Sequence, residues 1–137
     1  MNAFTILIID DESAQREAIA GFLRKHSYTV LTAASGVAGV DAAKAQHVDL
    51  VLTDFRMPDI DGAEVLRRLR ELSPDIPVVV ITAFGSVERA VDIMKAGAFD
   101  YIQKPVDLEE LLLTIERARE RSLLISENRI LREQLEG

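Results

Sequence analysis

Short apolar runs alternate with amphipathic stretches along most of the chain. The runs are rich in β-branched residues and nearly free of charge, which is typical of strands buried on both faces of a parallel sheet. They span residues 4–9, 28–32, 49–53, 76–82 and 99–102. Between and after them, apolar side chains recur three and four residues apart, which indicates helices. The pattern therefore predicts five strands and five helices in alternation.

Local signals predict where several of these helices begin and end. Ser13 is predicted to cap the first helix and Ser86 the fourth. Asp61, with Glu64 three residues later, has the pattern of a capping box at the start of the third helix. Gly97 stands where a residue in the left-handed conformation usually follows a helix. These signals divide the chain at the same places as the apolar runs do.

Alternating strands and helices predict right-handed crossovers around a central parallel sheet with helices on both faces. We expect a flavodoxin-like, doubly wound α/β fold with the strand order 2-1-3-4-5. The crevice of that fold lies at the carboxyl ends of strands 1 and 3, where the winding reverses. The last helical pattern has no Pro or Gly from Asp107 until Gly137, which predicts an extended C-terminal helix.

Charged and polar residues end four of the predicted strands at this same edge. Asp10 and Asp11 follow strand 1, and Asp54 follows strand 3. Thr82 ends strand 4 and Lys104 follows strand 5. Any one of them alone would be an ordinary turn residue, but three adjacent carboxylates repel one another unless a cation offsets their charge. Oxygen ligands with no Cys or His nearby, in a small site, favour Mg²⁺.

A divalent cation beside carboxylates is typical of phosphoryl transfer, in which a carboxylate can itself be the nucleophile and form an acyl phosphate. Lys104 would supply a fixed positive charge and Thr82 a hydroxyl group. The small Ala83 would let its backbone N–H approach a phosphoryl oxygen. The chain has neither a GxxxxGK[ST] nor a GxGxxG sequence. We therefore expect the phosphoryl donor to be a protein or a small acyl phosphate, not a bound nucleotide.

Size and charge narrow the range of partners. The chain has 137 residues, about one domain by length, and a formal net charge of −7. An acidic chain is a poor direct partner for nucleic acid. No apolar run approaches the roughly 18 residues that a membrane span needs. We expect a cytoplasmic protein without a membrane partner.

With these residues in place, the chain resembles the receiver domain of two-component response regulators over residues 4–120. The matching motifs are Ile9-Asp10-Asp11-Glu12, Asp54-Phe55-Arg56-Met57-Pro58 with Asp61-Gly62, Thr82-Ala83, and Lys104-Pro105. The stretch from Thr82 to Tyr101 resembles the nitrogen-regulation and C4-dicarboxylate type of regulator. Members of that type activate sigma-54 promoters through an attached AAA+ ATPase and a DNA-binding domain.

The resemblance implies a role for each acidic residue. Asp54 would accept a phosphoryl group from the phosphohistidine of a sensor histidine kinase. Asp11, Asp54 and the backbone carbonyl of Arg56 would bind Mg²⁺, and Asp10 would hold the ion through water. The chemistry would serve signalling and not turnover, so we expect a phosphoacceptor with slow self-dephosphorylation and not an enzyme.

The resemblance also implies a conformational switch. Lys104 would pair with the phosphoryl oxygens, while Thr82 and the segment from Ala83 onward move towards them. Tyr101 would follow into the space that Thr82 leaves. The face formed by helix 4, strand 5 and helix 5 would change and alter dimerisation. The bond between Lys104 and Pro105 would be cis.

The C-terminal residues are predicted to extend beyond the receiver domain. We place the receiver domain at residues 1–120 and a helical linker at residues 121–137, leading to an output domain absent from this chain. Leu124, Asn128, Leu131 and Leu135 recur four, three and four residues apart. That spacing predicts a coiled-coil seam in which Asn128 would fix the register of a homodimer. A frayed helical linker is the alternative.

Two other functions fit the same fold. A Mg²⁺-dependent phosphohydrolase would use Asp54 as its nucleophile, but such enzymes usually carry a second acid two residues later, where this chain has Arg56. A flavin-binding module would need a hydroxyl-rich phosphate loop after strand 1, where this chain has Asp10 and Asp11. Both alternatives are less consistent with the residues than a phosphoacceptor domain is.

Overall fold

Strands and helices alternate along the whole of the described chain. The computed structural model describes residues 3–83 and 87–136, and within them it contains five strands and five helices. The strands are β1 (Thr5–Ile9), β2 (Thr29–Ala33), β3 (Leu50–Asp54), β4 (Val78–Thr82) and β5 (Asp100–Gln103). The helices are α1 (Ser13–Lys25), α2 (Gly36–Ala45), α3 (Gly62–Leu72), α4 (Val87–Lys95) and α5 (Leu108–Glu136). The predicted alternation is confirmed, with strand boundaries within two residues of the expected ones.

The sheet is wholly parallel and has the order β2-β1-β3-β4-β5. The predicted doubly wound, flavodoxin-like topology is therefore confirmed. In the register, Ile9 lies beside Thr53 and Asp54 lies beside Ile81. Thr82 lies beside Gln103 at the next pair. The residues that follow β1, β3, β4 and β5 consequently meet along one edge of the sheet.

Two apolar layers cover the sheet, one on each face. Successive side chains of a strand point to opposite faces, so Ile6 and Ile8 pack with α1 and α5, while Leu7 and Ile9 pack with α2 and α3. All five residues of β3 and all five of β4 are buried. This double burial explains why the central strands are continuous apolar runs and do not alternate with polar residues.

The helix termini agree with the sequence signals only in part. The residue before α1 is Glu12, with no side-chain cap, and Ser13 is the first helical residue, so the predicted Ser13 cap is wrong. Asp61 caps α3 by accepting a hydrogen bond from the Glu64 N–H at 2.9 Å. The Glu64 carboxylate does not complete the capping box, because it pairs with two arginines of its own helix. The predicted Ser86 cap lies outside the described residues.

A positive backbone angle follows α4, as the sequence predicts. Gly97 has φ = 105°, a conformation that glycine adopts without the steric strain of a side chain. Its carbonyl accepts a hydrogen bond from Arg70 of α3 at 2.9 Å, and Arg70 also donates to the Ile76 carbonyl at 2.6 Å. Arg70 thus ties the turn after α4 to the loop that precedes β4.

The last helix, α5, runs for 29 residues and passes beyond the sheet. Its first turns are anchored by Leu111, Ile115 and Ala118, which are fully buried. Beyond them the Arg121 guanidinium lies 5.7 Å from the centre of the Phe99 ring. Farther on, Arg129 forms an ion pair with Asp75 before β4. None of the helices described is both long and apolar enough to cross a membrane.

Candidate functional site

Three carboxylates meet at the carboxyl edge of the sheet, as the sequence predicts. Asp10 and Asp11 follow β1, Asp54 ends β3, and one ligand oxygen from each lies within 4.8 Å of the other two. Asp10 is only 1% exposed and Asp54 only 4%, while Asp11 is exposed. Two buried acids and one accessible acid therefore surround a position that solvent can reach.

The loop after Asp54 is held close to the strand by backbone contacts. The Phe55 N–H donates to the Ile81 carbonyl at 2.8 Å, which continues the pairing with β4 beyond the strand. The Gly62 N–H donates to the Phe55 carbonyl at 2.7 Å. A Cβ atom at Gly62 would lie 2.9 Å from the Phe55 Cα, so only glycine allows this approach. The loop therefore presents Asp54 from a fixed backbone.

A second contact fastens the same loop to α2. The Asp59 carboxylate accepts hydrogen bonds from the N–H groups of Gly36 and Val37, at 3.1 and 2.8 Å. These are first-turn N–H groups of α2, which have no partner within the helix. The hydrogen bonds hold the pKa of Asp59 below its usual range. The loop beside the acids is thus braced by a helix N-terminus.

Neutral groups donate hydrogen bonds to the Asp10 carboxylate, and an arginine donates to its backbone carbonyl. Its Oδ1 accepts from the Glu12 N–H at 2.9 Å, and its Oδ2 accepts a short hydrogen bond from the Gln15 side chain. Arg16 donates to the Asp10 carbonyl at 2.9 Å. Sequence reasoning missed Gln15 and Arg16. Their position in the first turn of the helix that follows the acid pair was the only available signal.

Lys104 reaches the acidic group from β5. Its Nζ lies 2.9 Å from Asp54 Oδ2, and its backbone N–H donates to the Thr82 carbonyl at 2.8 Å. The bond between Lys104 and Pro105 is cis, as the resemblance implied. Burial raises the pKa of Asp54; the Lys104 ammonium group opposes this shift, and the charge of Asp10 adds to it. Lys104 therefore favours the ionised form of Asp54, whereas burial and the charge of Asp10 disfavour it.

Thr82 and Tyr101 lie on neighbouring strands, but they differ in exposure. Thr82 is 3% exposed, and its hydroxyl group donates to the Ala83 carbonyl at 3.1 Å. Tyr101 is half-buried and borders a shallow apolar depression with Val91 and Met94 of α4. The segment Phe84-Gly85-Ser86, which was expected to move with Ala83, lies outside the described residues. Both residues occupy the strand positions that the sequence predicts.

The donor set matches a hard divalent cation. Asp10, Asp11 and Asp54 offer oxygen ligands only, and neither His nor Cys belongs to the group. Small oxygen-ligand sites that leave room for water suit Mg²⁺. Arg56, whose carbonyl is the fourth predicted ligand, lies on the loop directly after β3. The three acidic residues could therefore hold an ion of this kind.

The fold and the site together define a class of phosphoacceptor-like α/β domain. The family model described as "Response regulator receiver domain" matches residues 6–116 of this chain. The chain therefore belongs to the receiver domain family of two-component response regulators, a family of signalling proteins. This membership confirms the resemblance that the motifs indicated.

Two curated relatives show how much of a longer protein the chain represents. It is 41% identical to the transcriptional regulatory protein ZraR of Escherichia coli over 113 residues, which are 82% of this chain and 26% of ZraR. It is 33% identical to the C4-dicarboxylate transport transcriptional regulatory protein DctD of Rhizobium meliloti over 133 residues, 97% of this chain and 29% of DctD. The chain thus spans less than a third of either relative.

A solved structure supports the same fold over nearly the whole chain. NtrX from Brucella abortus superimposes with a TM-score of 0.88 at 33% identity. The superposition covers 95% of this chain and 30% of the NtrX chain. The similarity therefore extends past the sheet into the α5 extension.

Proposed function

We propose that Asp54 is the phosphoacceptor of a receiver domain that takes its phosphoryl group from a sensor histidine kinase. The observation that carries this proposal is the contact between Lys104 Nζ and Asp54 Oδ2, at 2.9 Å, within the group of three carboxylates. A nearly buried carboxylate with one ammonium partner and two acidic neighbours is suited to gain a phosphoryl group that brings new acceptors for the ammonium group.

Asp54 reacts as a carboxylate in this scheme. One of its oxygens attacks the phosphorus atom of the donor phosphohistidine, a new P–O bond forms, and the P–N bond breaks. The imidazole nitrogen keeps the electron pair and takes up a proton, while Asp54 becomes an acyl phosphate. Lys104 keeps the attacking carboxylate ionised and afterwards pairs with a phosphoryl oxygen.

The acidic group would hold Mg²⁺ through Asp11, Asp54 and the Arg56 carbonyl, with Asp10 acting through water. When bound, the ion supplies neutralising charge to the phosphoryl oxygens. The oxygen-only donor set and the 4.8 Å clustering of its ligand atoms support this assignment.

Thr82, Ala83 and Tyr101 form the switch in this proposal. A phosphoryl group adds about −1.5 to −2 charges and three strong acceptors. The Thr82 hydroxyl, which now donates to the Ala83 carbonyl, would turn to a phosphoryl oxygen, and Tyr101 would move inward after it. The exposed apolar side chains beside Tyr101 would then be rearranged, and with them the face formed by α4, β5 and α5.

In the whole protein, the receiver domain (residues 1–120) would act through the helical linker (residues 121–137) on an AAA+ output domain at sigma-54 promoters. The relatives are transcriptional regulatory proteins, and DctD matches this chain through most of the linker.

We further propose that the chain forms a homodimer through the face of α4, β5 and α5 together with the extension of α5. We also propose that the protein is cytoplasmic and that it dephosphorylates itself slowly. The net charge of −7 supports a segment that does not itself bind nucleic acid.

Labelling with acetyl phosphate tests the phosphoacceptor. We expect one long-lived phosphoryl group per chain, dependent on Mg²⁺, absent in Asp54→Asn and retained in Asp41→Asn, an exposed acid of α2. Labelling that persists in Asp54→Asn would refute the assignment. Continuous release of phosphate over many turnovers would instead support a phosphohydrolase.

A further inference from the structure

The Asp10 carboxylate is buried without a cationic partner. It is 1% exposed, and among residues 3–83 and 87–136 no ammonium or guanidinium group forms an ion pair with it. Lys104 pairs with Asp54, and Arg16, which forms an ion pair with Glu17, contacts Asp10 at its backbone carbonyl and not at its carboxylate. Both carboxylate oxygens accept hydrogen bonds from neutral groups, the Glu12 N–H and the Gln15 side chain. The negative charge of Asp10 is therefore kept in place and left available to a cation.

Gln15 is the side chain that orients this carboxylate. A carboxylate only accepts hydrogen bonds, so Gln15 must present its Nε2 group to Asp10 Oδ2. Gln15 lies in the first turn of α1, whose start has no side-chain cap. The contact thus joins the helix to the end of β1 at the acidic group. Groups that hydrogen-bond a metal ligand from behind fix its direction, and their loss typically weakens metal binding about 10- to 100-fold. Because Asp10 would hold the ion through water, we expect the lower end of that range here.

We propose that Gln15 is a positioning residue for the divalent cation site, which sets the affinity for Mg²⁺ by holding the Asp10 carboxylate towards the ion. The inference rests on the proposed function, because it assumes that the acidic group binds Mg²⁺. A neutral hydrogen-bond donor such as glutamine suits position 15 for two reasons. A lysine at this position would neutralise Asp10 and compete with the cation, and a leucine would leave Asp10 Oδ2 without its donor.

Calorimetric titration of Mg²⁺ into the unphosphorylated 137-residue chain tests this role. We expect Gln15→Leu to weaken Mg²⁺ binding about 10-fold and Gln15→Lys to weaken it further. Gln46→Leu, which changes an exposed glutamine just after α2, should leave the affinity unchanged. Thermal unfolding without Mg²⁺ shows whether each variant is folded. A Gln15→Leu or Gln15→Lys variant that binds Mg²⁺ within twofold of the parent would overturn the proposal.

A second readout separates positioning from a general structural role. The rate of labelling by acetyl phosphate should need more Mg²⁺ to reach half its maximum in Gln15→Leu, while the rate at saturating Mg²⁺ stays within about twofold of the parent's. A lower saturating rate with unchanged Mg²⁺ affinity would also overturn the proposal. If the parent binds Mg²⁺ but is never labelled, the phosphoacceptor assignment fails, and the affinities still decide the role of Gln15. If the parent chain does not bind Mg²⁺, the proposed role of Gln15 is refuted directly.

Discussion

Asp54 carries its negative charge in a place that disfavours it. Its side chain is 6% exposed and lies near the carboxylate of Asp10. Burial and this neighbour raise the pKa of Asp54, although the Lys104 ammonium group opposes the shift. The folded chain therefore binds the Asp54 proton more tightly than the unfolded chain does, and ionised Asp54 lowers stability. The phosphoacceptor role proposed for Asp54 therefore places a negative charge where it lowers stability.

Asp54→Asn is expected to stabilise the chain at pH 7 in the absence of Mg²⁺. A raised pKa stabilises the folded parent below the ordinary value of 3.8, and this stabilisation is lost as the pH rises through the pKa of the folded state. The neutral asparagine of the variant does not ionise, so the variant loses no stability in this way at pH 7. We expect a gain of about 0.5–2 kcal/mol in the free energy of unfolding at pH 7. The difference should shrink towards pH 4. Urea unfolding at several pH values measures it, and a variant less stable than the parent at pH 7 would contradict this explanation.

At the scale of single residues, the sequence predicts the site through strand ends. Asp10, Asp54 and Lys104 could be placed together because parallel strands bring their carboxyl ends to one edge. Gln15 could not, since its contact depends on side-chain length and on the angle at which α1 leaves the sheet. The predicted cap of α1 was wrong because the exact first residue of the helix is not fixed by the local sequence. Helix α1 begins one residue earlier than the Ser13 cap requires, so Ser13 is itself helical and the preceding Glu12 makes no side-chain cap.

At the scale of the elements, the strands were the most predictable. Each central strand is buried on both faces, so its entire sequence carries the signal. The packing of α2 on β1 has no such signal. Gly39 faces Ile9, and a Cβ atom at Gly39 would lie 2.5 Å from Ile9 Cγ1. Helix propensity alone favours alanine over this glycine, so its reason is a tertiary contact that the local sequence does not show.

Gly39→Ala is expected to destabilise the chain, although alanine is the better helix former. Ile9 is fully buried, so its side chain has little space to move into, and overpacking of this kind costs about 1–3 kcal/mol. Gly21→Ala in α1 is the matched control, because a Cβ atom there would have nothing within 4 Å. It should stabilise by about 0.5–1 kcal/mol. Thermal unfolding of both variants tests the close approach, and equal stabilisation by the two would show that α2 can shift away from β1.

At the scale of the whole molecule, α5 is the element that extends beyond the sheet. It leaves the sheet after Ala118, yet Arg121 still lies over Phe99 and Arg129 pairs with Asp75. The extension therefore stays against the base of its own receiver domain for about three more turns. The boundary at residue 120 remains a prediction, because α5 is continuous across it. The coiled coil also remains a prediction, because its seam would be a contact between two chains and the structure describes one.

The exposed face of α5 makes the dimer testable. Three leucines of the predicted seam are more than half exposed: Leu124, Leu131 and Leu135. Leu123 and Ile130 are also more than half exposed, but they lie about 100° around the helix from the seam. If the seam pairs two chains, Leu124→Glu with Leu131→Glu should bring four charges together and raise the dimer dissociation constant at least ~100-fold, about 2.7 kcal/mol. Leu123→Glu with Ile130→Glu adds the same charge beside the seam and should change it by less than about 10-fold. Sedimentation equilibrium measures both, and equal effects would show that α5 does not associate through this seam.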